Sequence, residues 1–491
     1  MHGFFLFTFD EQIFSKKSML NKKFLTIILT IFMVSLTFSQ RNYKFENFGN
    51  RSILLNGNVT GSVDDLGATY YNPARLALIE DPVFLINAKM FQLTNVKLDN
   101  VTLDGNNLSS SNFDGVPSMI AGTFKIKSLE GHQFAYTFFS RNRSDLSVGY
   151  NSKIEENDYF NSNYEISKYI NDTRINNQLR ENWYGGSWAK SIASNFSIGA
   201  SLFFSTYKFE NGYSEGLNAI SESNAVSSYN NLVYFEQKSY GFFGKIAAAW
   251  VLPKVEIGIN VDLPYIEVFG DGEFKYEEYL SGFSDENDIF TFNHFEDVNT
   301  KRKYPLGIST GVGIPIKKHQ IHANLSYNVG VNPYTKIEIP RLESETETDL
   351  PTINFVEELK PTVNFGVGGE FFVSEKLNAY GSFSTDFSPF VQIDSMEYPN
   401  ASKDLNYETD YYHVGFGVNV SHKWANFILG TVYSRGNTDK IKLNSIPLNV
   451  TDPDEQYSRL NVNRWRFILG LEVLFLDNSK LEKLGLDNKL F

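Results

Sequence analysis

A chain of 491 residues without a single cysteine has no disulfide and no thiolate metal site. Its formal net charge of −13 gives no basic footprint for nucleic acid. With 43 Phe and 27 Tyr but a mean hydropathy of −0.27, it is aromatic-rich yet too polar for a bundle of membrane helices.

The chain order begins with an export signal. Met19-Leu-Asn-Lys-Lys supplies the basic start, residues 24–38 the apolar run, and Thr37-Phe38-Ser39 a small-x-small exit. Residues 19–39 are therefore expected to be a cleaved signal peptide, with Gln40 as the first mature residue. Residues 1–18 precede that logic and read as an over-extended start, with Met19 as the initiator.

Residues 40–81 lack sheet alternation. Beyond them, period-two patterns recur near 82–98, 117–127, 131–143, 181–193, 195–209, 238–251 and 255–266. They continue near 303–314, 319–330, 362–373, 376–388, 411–422, 425–436 and 464–475. In one of these, Tyr412, Val414, Phe416, Val418 and Val420 alternate with His413, Gly415, Gly417, Asn419 and Ser421. Alternate side chains point to opposite faces, so each segment has one apolar wall and one small or polar wall. Asn364, Gly366, Gly368 and Glu370 illustrate the second kind. The G-x-G pairs Gly311/Gly313 and Gly415/Gly417 lack the strand-to-helix grammar of a nucleotide loop and fit strand glycines instead.

Connections alternate strictly. Short ones fall near 128–131, 194, 253, 317–318, 374–375 and 423–424. Long polar ones fall near 99–116, 144–180, 210–237, 267–302, 331–361, 389–410 and 437–463. Short periplasmic turns and long extracellular loops are the mark of an even outer-membrane barrel. The expected fold is all-β: a transmembrane 14-stranded antiparallel β-barrel over residues 82–475, followed by a tail over 476–491. Trp188, Trp250 and Trp424 would then sit in an aromatic girdle near the short turns, and Trp465 would begin the last strand at the other rim.

The segment before the barrel carries Gly57-Asn58-Val59-Thr60-Gly61-Ser62-Val63-Asp64-Asp65-Leu66-Gly67-Ala68-Thr69-Tyr70-Tyr71-Asn72-Pro73-Ala74-Arg75-Leu76-Ala77. This resembles the hatch signature of the FadL/TodX family of outer-membrane transporters for long-chain fatty acids and other hydrophobic compounds. The order is the same: small residues, an acidic pair, aromatics, Asn-Pro-Ala, then Leu-Ala. Arg75 departs from the family's usual glycine and puts the hatch's permeability in question. The resemblance implies an N-terminal hatch, residues 40–81, folded inside the lumen as a plug. It also implies capture of a hydrophobic ligand, fatty acid or aromatic hydrocarbon, in an apolar pocket and passive lateral release through the wall. Asn72, Pro73 and Ala74 are the hatch motif. Ile53, Leu54, Leu55, Leu66, Tyr70 and Tyr71 are the candidate ligand-binding side chains, although packing of plug on wall explains the same residues.

No catalytic set emerges. His-Glu-x-x-His and Gly-x-Ser-x-Gly are absent, and His319 and His322 face opposite walls of their strand. The chain is expected to be no enzyme and to carry no cofactor or metal. Expected partners are a hydrophobic small molecule, outer-membrane lipid and lipopolysaccharide, and the barrel-assembly machinery. A different class stays open: a FadL-like barrel serving as a scaffold or shuttle in type IX protein export.

Overall fold

The computed structural model describes residues 43–44, 46–79, 83–99, 107–126, 128–154, 165–283, 288–346, 350, 353, 355–391, 409–422, 424–441 and 457–474. The signal peptide, the residues before it and the C-terminal tail lie outside the described residues. Two one-turn helices, α1 (Arg51–Leu54) and α2 (Ala68–Tyr71), and a 3₁₀ helix (Pro73–Leu78) come first. The wall then rises with β1 (Val83–Asp99) and descends with β2 (Leu108–Phe124). It goes on through β3 (His132–Ile154), β4 (Ile166–Ala193), β5 (Phe196–Ser221), β6 (Val226–Leu252) and β7 (Val255–Asp262). β8 (Ile266–Ser281) and β9 (Ile289–Asn299) form a hairpin. After β10 (Gly307–Ile316) and β11 (His319–Asn328), β12 (Val331–Ile337) and β13 (Phe355–Leu359) form a separate small one. β14 (Thr362–Ser374), β15 (Leu377–Asp386), β16 (Asp410–Ser421), β17 (Ala425–Ile441) and β18 (Tyr457–Leu474) complete the wall.

All neighbours pair antiparallel. The ring runs β1 to β7, then β10, β11, β14, β15, β16, β17 and β18, with β5 joined to β6. It closes where β18 returns to β1, from Val83↔Leu474 to Asp99↔Arg459. That is a closed barrel of 14 strands. β7 and β8 are one rising strand broken at Leu263-Pro264-Tyr265, because β6 pairs first with β7 and then with β8. Pro264 has no N–H to give to a ladder, so the break falls there. β9 and β10 are the descending counterpart, interrupted at 300–306.

The apolar wall faces outward. On β14, Val363, Phe365 and Val367 are about half exposed while Asn364 between them is fully buried. On β18, Trp465, Phe467 and Leu469 are exposed at 41–47%, whereas Arg464 and Arg466 are 1% exposed. A water-soluble protein puts arginine outside and phenylalanine inside. The reverse order is that of a barrel whose solvent is lipid.

Two sequence expectations need correction. The stretches 144–180, 210–237, 267–302 and 331–361 are not simply loops. β3, β4, β5 and β6 run through the first two, β8 and β9 occupy most of the third, and β12 and β13 lie in the fourth. Above the bilayer both strand faces can be polar, so the apolar alternation fades while the hydrogen-bond ladder continues. Likewise β18 starts at Tyr457, which puts Trp465 in mid-strand opposite Leu93 and Tyr433 rather than at a rim. β4 has 28 residues and β14 has 13. At about 3.3 Å per residue the taller strand is ~90 Å long, far more than an apolar band of ~25 Å requires even when tilted.

Leu429, 63% exposed, lies four residues above the short turn before β17, near mid-bilayer. Leu429→Arg should cost about 2–4 kcal/mol in reversible urea unfolding from lipid vesicles, and Leu429→Phe close to nothing. Equal stability of the arginine variant would refute the lipid-facing orientation.

Candidate functional site

The segment before β1 is folded inside the barrel around one carboxylate. Asp65 accepts from Asn50 N at 2.7 Å, Ser52 N at 2.8 Å, Ser52 Oγ at 2.8 Å and Gly67 N at 2.8 Å. The first turn of α1 presents orphan N–H groups, and Asp65 satisfies them from 13 residues away in sequence. Gly49, at φ +88°, passes so close that a Cβ there would stand 2.7 Å from Asp65 Oδ1.

Asn72, Pro73 and Ala74 form the turn into the 3₁₀ helix. Asn72 is extended at φ −163°, as the residue before a proline prefers. Its Oδ1 accepts from Ala74 N at 3.1 Å. Its Nδ2 donates to Thr60 O at 2.7 Å and to Ala248 O of β6 at 3.2 Å. The motif therefore ties the plug to itself and to the wall. Arg75 does the same on β7: Nε donates to Val63 O at 2.9 Å and its guanidinium pairs with Glu256 at 2.9 Å.

Other clamps run around the circumference. Arg51 meets Glu370 of β14 at 2.7 Å, and Glu46 pairs with Arg464 and Arg466 of β18. Ser62 Oγ bonds His322 Nδ1 of β11 at 2.7 Å, and Asn58 Nδ2 donates to Phe383 O of β15 at 3.0 Å. Arg141 of β3 donates to Tyr43 O at 2.9 Å. The interrupted stretch 300–306 also turns inward. Tyr304 packs edge-on to Tyr43, and Arg302 pairs with the buried Glu181 at 2.6 Å.

The wall meets this plug through glycines. A Cβ on Gly199 would lie 2.5 Å from Ala74 N, and one on Gly368 would lie 2.8 Å from Leu55 Cδ2. Gly258 faces Thr60, Gly311 faces Gly61, Gly366 faces Asn58, and Gly417 and Gly430 face Leu54 at equally short range. The G-x-G pairs are thus the inward stripe that lets plug backbone touch wall backbone.

Of the candidate side chains, Ile53, Leu54, Leu55 and Leu66 are buried to within 1% in the contact between plug and wall. Tyr70 and Tyr71 alone among the six reach the lumenal cavity described here. Tyr70 packs on Phe48 at 4.9 Å and Phe139 at 5.6 Å, with Lys245 Nζ 4.2 Å from its ring centre. The Tyr71 hydroxyl accepts from Phe48 N at 2.9 Å and donates to Asn47 Oδ1 at 3.1 Å. The cavity measures about 50 Å³. Its lining is rich in amides and hydroxyls: Asn47, Asn56, Asn260, Asn324, Ser309 and Ser326. Sequence reading missed the wall members. Their clue was the polar phase of β11, where Asn324, Ser326 and Asn328 alternate with Leu325 and Tyr327.

Among the described residues the shortest ladder of the ring joins β2 and β3. The β2–β3 ladder covers Met119↔Phe139 to Phe124↔Phe134 and stops at the Pro117 level. Beyond it, among the described residues, side chains bridge the strands: Ser110 Oγ to Ser147 O at 3.3 Å and Asn112 Nδ2 to Asp145 O at 3.4 Å. Register shifts gather at the same height, at Lys89/Phe91 against β18 and at Ser140/Asn142 against β4. Bulges of this kind bend a strand and interrupt its pairing.

No family model and no curated protein sequence matches the chain. Solved structures do. The Pseudomonas putida toluene transporter TodX aligns at 12% identity and TM-score 0.54, covering 88% of this chain and all of that one. The fold is that of the FadL and TodX barrels. A Pseudomonas aeruginosa FadL homologue aligns at 14% identity and TM-score 0.51 over 89% of this chain and 100% of its own. The Ralstonia pickettii toluene transporter TbuX aligns at 12% and 0.52, with 88% and 100% covered. In this FadL/TodX-type barrel the hatch-like motif occupies the lumen.

Asp65→Ala should release the plug while leaving the barrel closed. Local opening of residues 46–79 should become easier by on the order of 3 kcal/mol, about a hundredfold faster amide exchange, with strand protection unchanged. Unchanged exchange in the plug would show that Asp65 is not its hub.

Proposed function

We propose that this protein is a passive outer-membrane transporter for hydrophobic or amphipathic compounds, with lateral release past the plug. The observation that carries the reading is the coincidence of a lumen-filling plug with a wall whose β2–β3 ladder ends beside it. A solute that must cross polar surface glycans gains by leaving water inside a protein. A sideways exit then delivers it to lipid without rehydration. The neighbours described as toluene transporters and monoaromatic hydrocarbon channels share the fold and support the direction of this reading. Met119 stands at the inner face of the seam, where its sulfur accepts from Gly49 N at 3.1 Å, so plug and seam are in contact. A shift of the plug is therefore felt at the wall opening.

The chain has no native cysteine, so engineered thiols react alone. Ser118→Cys with Ser140→Cys, the residues just past the end of the ladder, bridged by a short bifunctional thiosulfonate, should cut uptake of labelled oleate or toluene by about tenfold in cells that lack their own transporter. Reduction of the bridge should restore it, since the bridge joins residues that the ladder no longer pairs. Full uptake with the seam bridged would rule out release at this point.

A further inference from the structure

The lumenal cavity carries polar groups in a fixed orientation that no neighbour uses. Asn260 donates its Nδ2 to Asp262 at 2.7 Å, so its Oδ1 is the atom left over, and it has no hydrogen-bond partner. Asn47 takes the Tyr71 hydroxyl on its Oδ1, so its Nδ2 is left over, also without a partner. Both residues are 2% exposed and both line the cavity. Asn56, Asn324, Tyr43 and Lys44 line it as well, and the Asn56 amide, Asn324 Oδ1, the Tyr43 hydroxyl and Lys44 Nζ likewise have no hydrogen-bond partner. A buried polar group left unsatisfied costs about 1–3 kcal/mol, so such a cluster calls for a ligand that answers it.

The geometry points to a subsite for a neutral polyhydroxyl head group, of the size of a glyceryl unit, carried on a hydrophobic tail. This rests on the transport reading above and names its substrate class. Asn260 Oδ1 needs a donor and Asn47 Nδ2 needs an acceptor. A hydroxyl is both, a carboxylate is only an acceptor, and a hydrocarbon is neither. On the lining, Lys245 pairs with Asp262, and Glu46 with Arg464 and Arg466 of β18. Lys44 adds one more donor, which a hydroxyl oxygen satisfies. Size agrees. At roughly 10–15 Å³ of such space per water, a cavity of about 50 Å³ takes three to five waters, the bulk of one glyceryl group.

The test uses the full-length folded protein in an amine-oxide detergent, whose head carries no polyol. An equimolar mixture of 1-oleoylglycerol, oleate and octadecene is offered, and native mass spectrometry reads what is retained. The expected result is 1-oleoylglycerol retained about tenfold or more over the other two, because a site built to hydrogen-bond hydroxyls disfavours analogues lacking them. Asn260→Leu with Asn324→Leu should abolish that preference and leave octadecene retention unchanged. The ranking by the wild-type protein stands even where the variant fails to fold. Oleate or octadecene retained as well as the glyceride would overturn the polyol subsite and leave the transport reading standing. Retention of none of the three, as for a cavity that holds water alone, would overturn both.

Discussion

A plug fills a barrel only where its backbone comes to van der Waals distance of the wall, and here that approach is made through missing side chains. Gly199, Gly258, Gly311, Gly366, Gly368, Gly417 and Gly430 lie on β5, β7, β10, β14, β16 and β17, and each faces a plug atom that a Cβ would strike. Packed interiors tolerate little overfilling, so this stripe fixes where the plug sits. Glycine loses more conformational freedom than any other residue on being held in a strand. The wall accepts that cost at many places for a single fit. The polar clamps then act on a plug already in position.

Those clamps explain why the lumen is so charged in a protein whose outer face is aromatic. Arg51, Arg75 and Glu46 on the plug find Glu370, Glu256 and the Arg464/Arg466 pair on the wall. Buried ion pairs add little net stability over apolar packing, but breaking one partner away is expensive. A plug fastened in this way is specific in place more than it is strongly held. It can shift as a body only when several pairs let go together. Register shifts at Lys89/Phe91 and Ser140/Asn142 interrupt the wall's ladders near the level where the β2–β3 pairing ends.

Much of this was legible in the sequence. Val363, Phe365 and Val367 against Asn364, Gly366 and Gly368 announce a strand with lipid on one side, and fourteen such segments close the ring. The tall upper parts of β3 to β6 were not legible as strands. Outside the bilayer nothing forces one face to be apolar, so Asn171 to Asn177 reads as loop although it pairs along its length. The hatch-like motif was visible as a motif, but its work was not. Asn72 joins the plug to β6 through its side-chain amide, and Ile53 to Leu55 are buried. The cavity was hidden for a different reason. Asn47, Asn56, Asn260 and Asn324 are scattered along the chain and meet only once the barrel is closed around the plug. No local pattern connects them.

The wall is also lopsided. β3 to β6 have 23 to 28 residues each, while β14 to β16 have 10 to 13. Among the described residues the strand wall therefore stands taller over β3 to β6 than over β14 to β16. Among the described residues the β5–β6 turn, Glu222 to Ala225, caps the tall side. The strand wall thus has a tall flank and a short one, so the two sides of the barrel present different heights to whatever stands beside them.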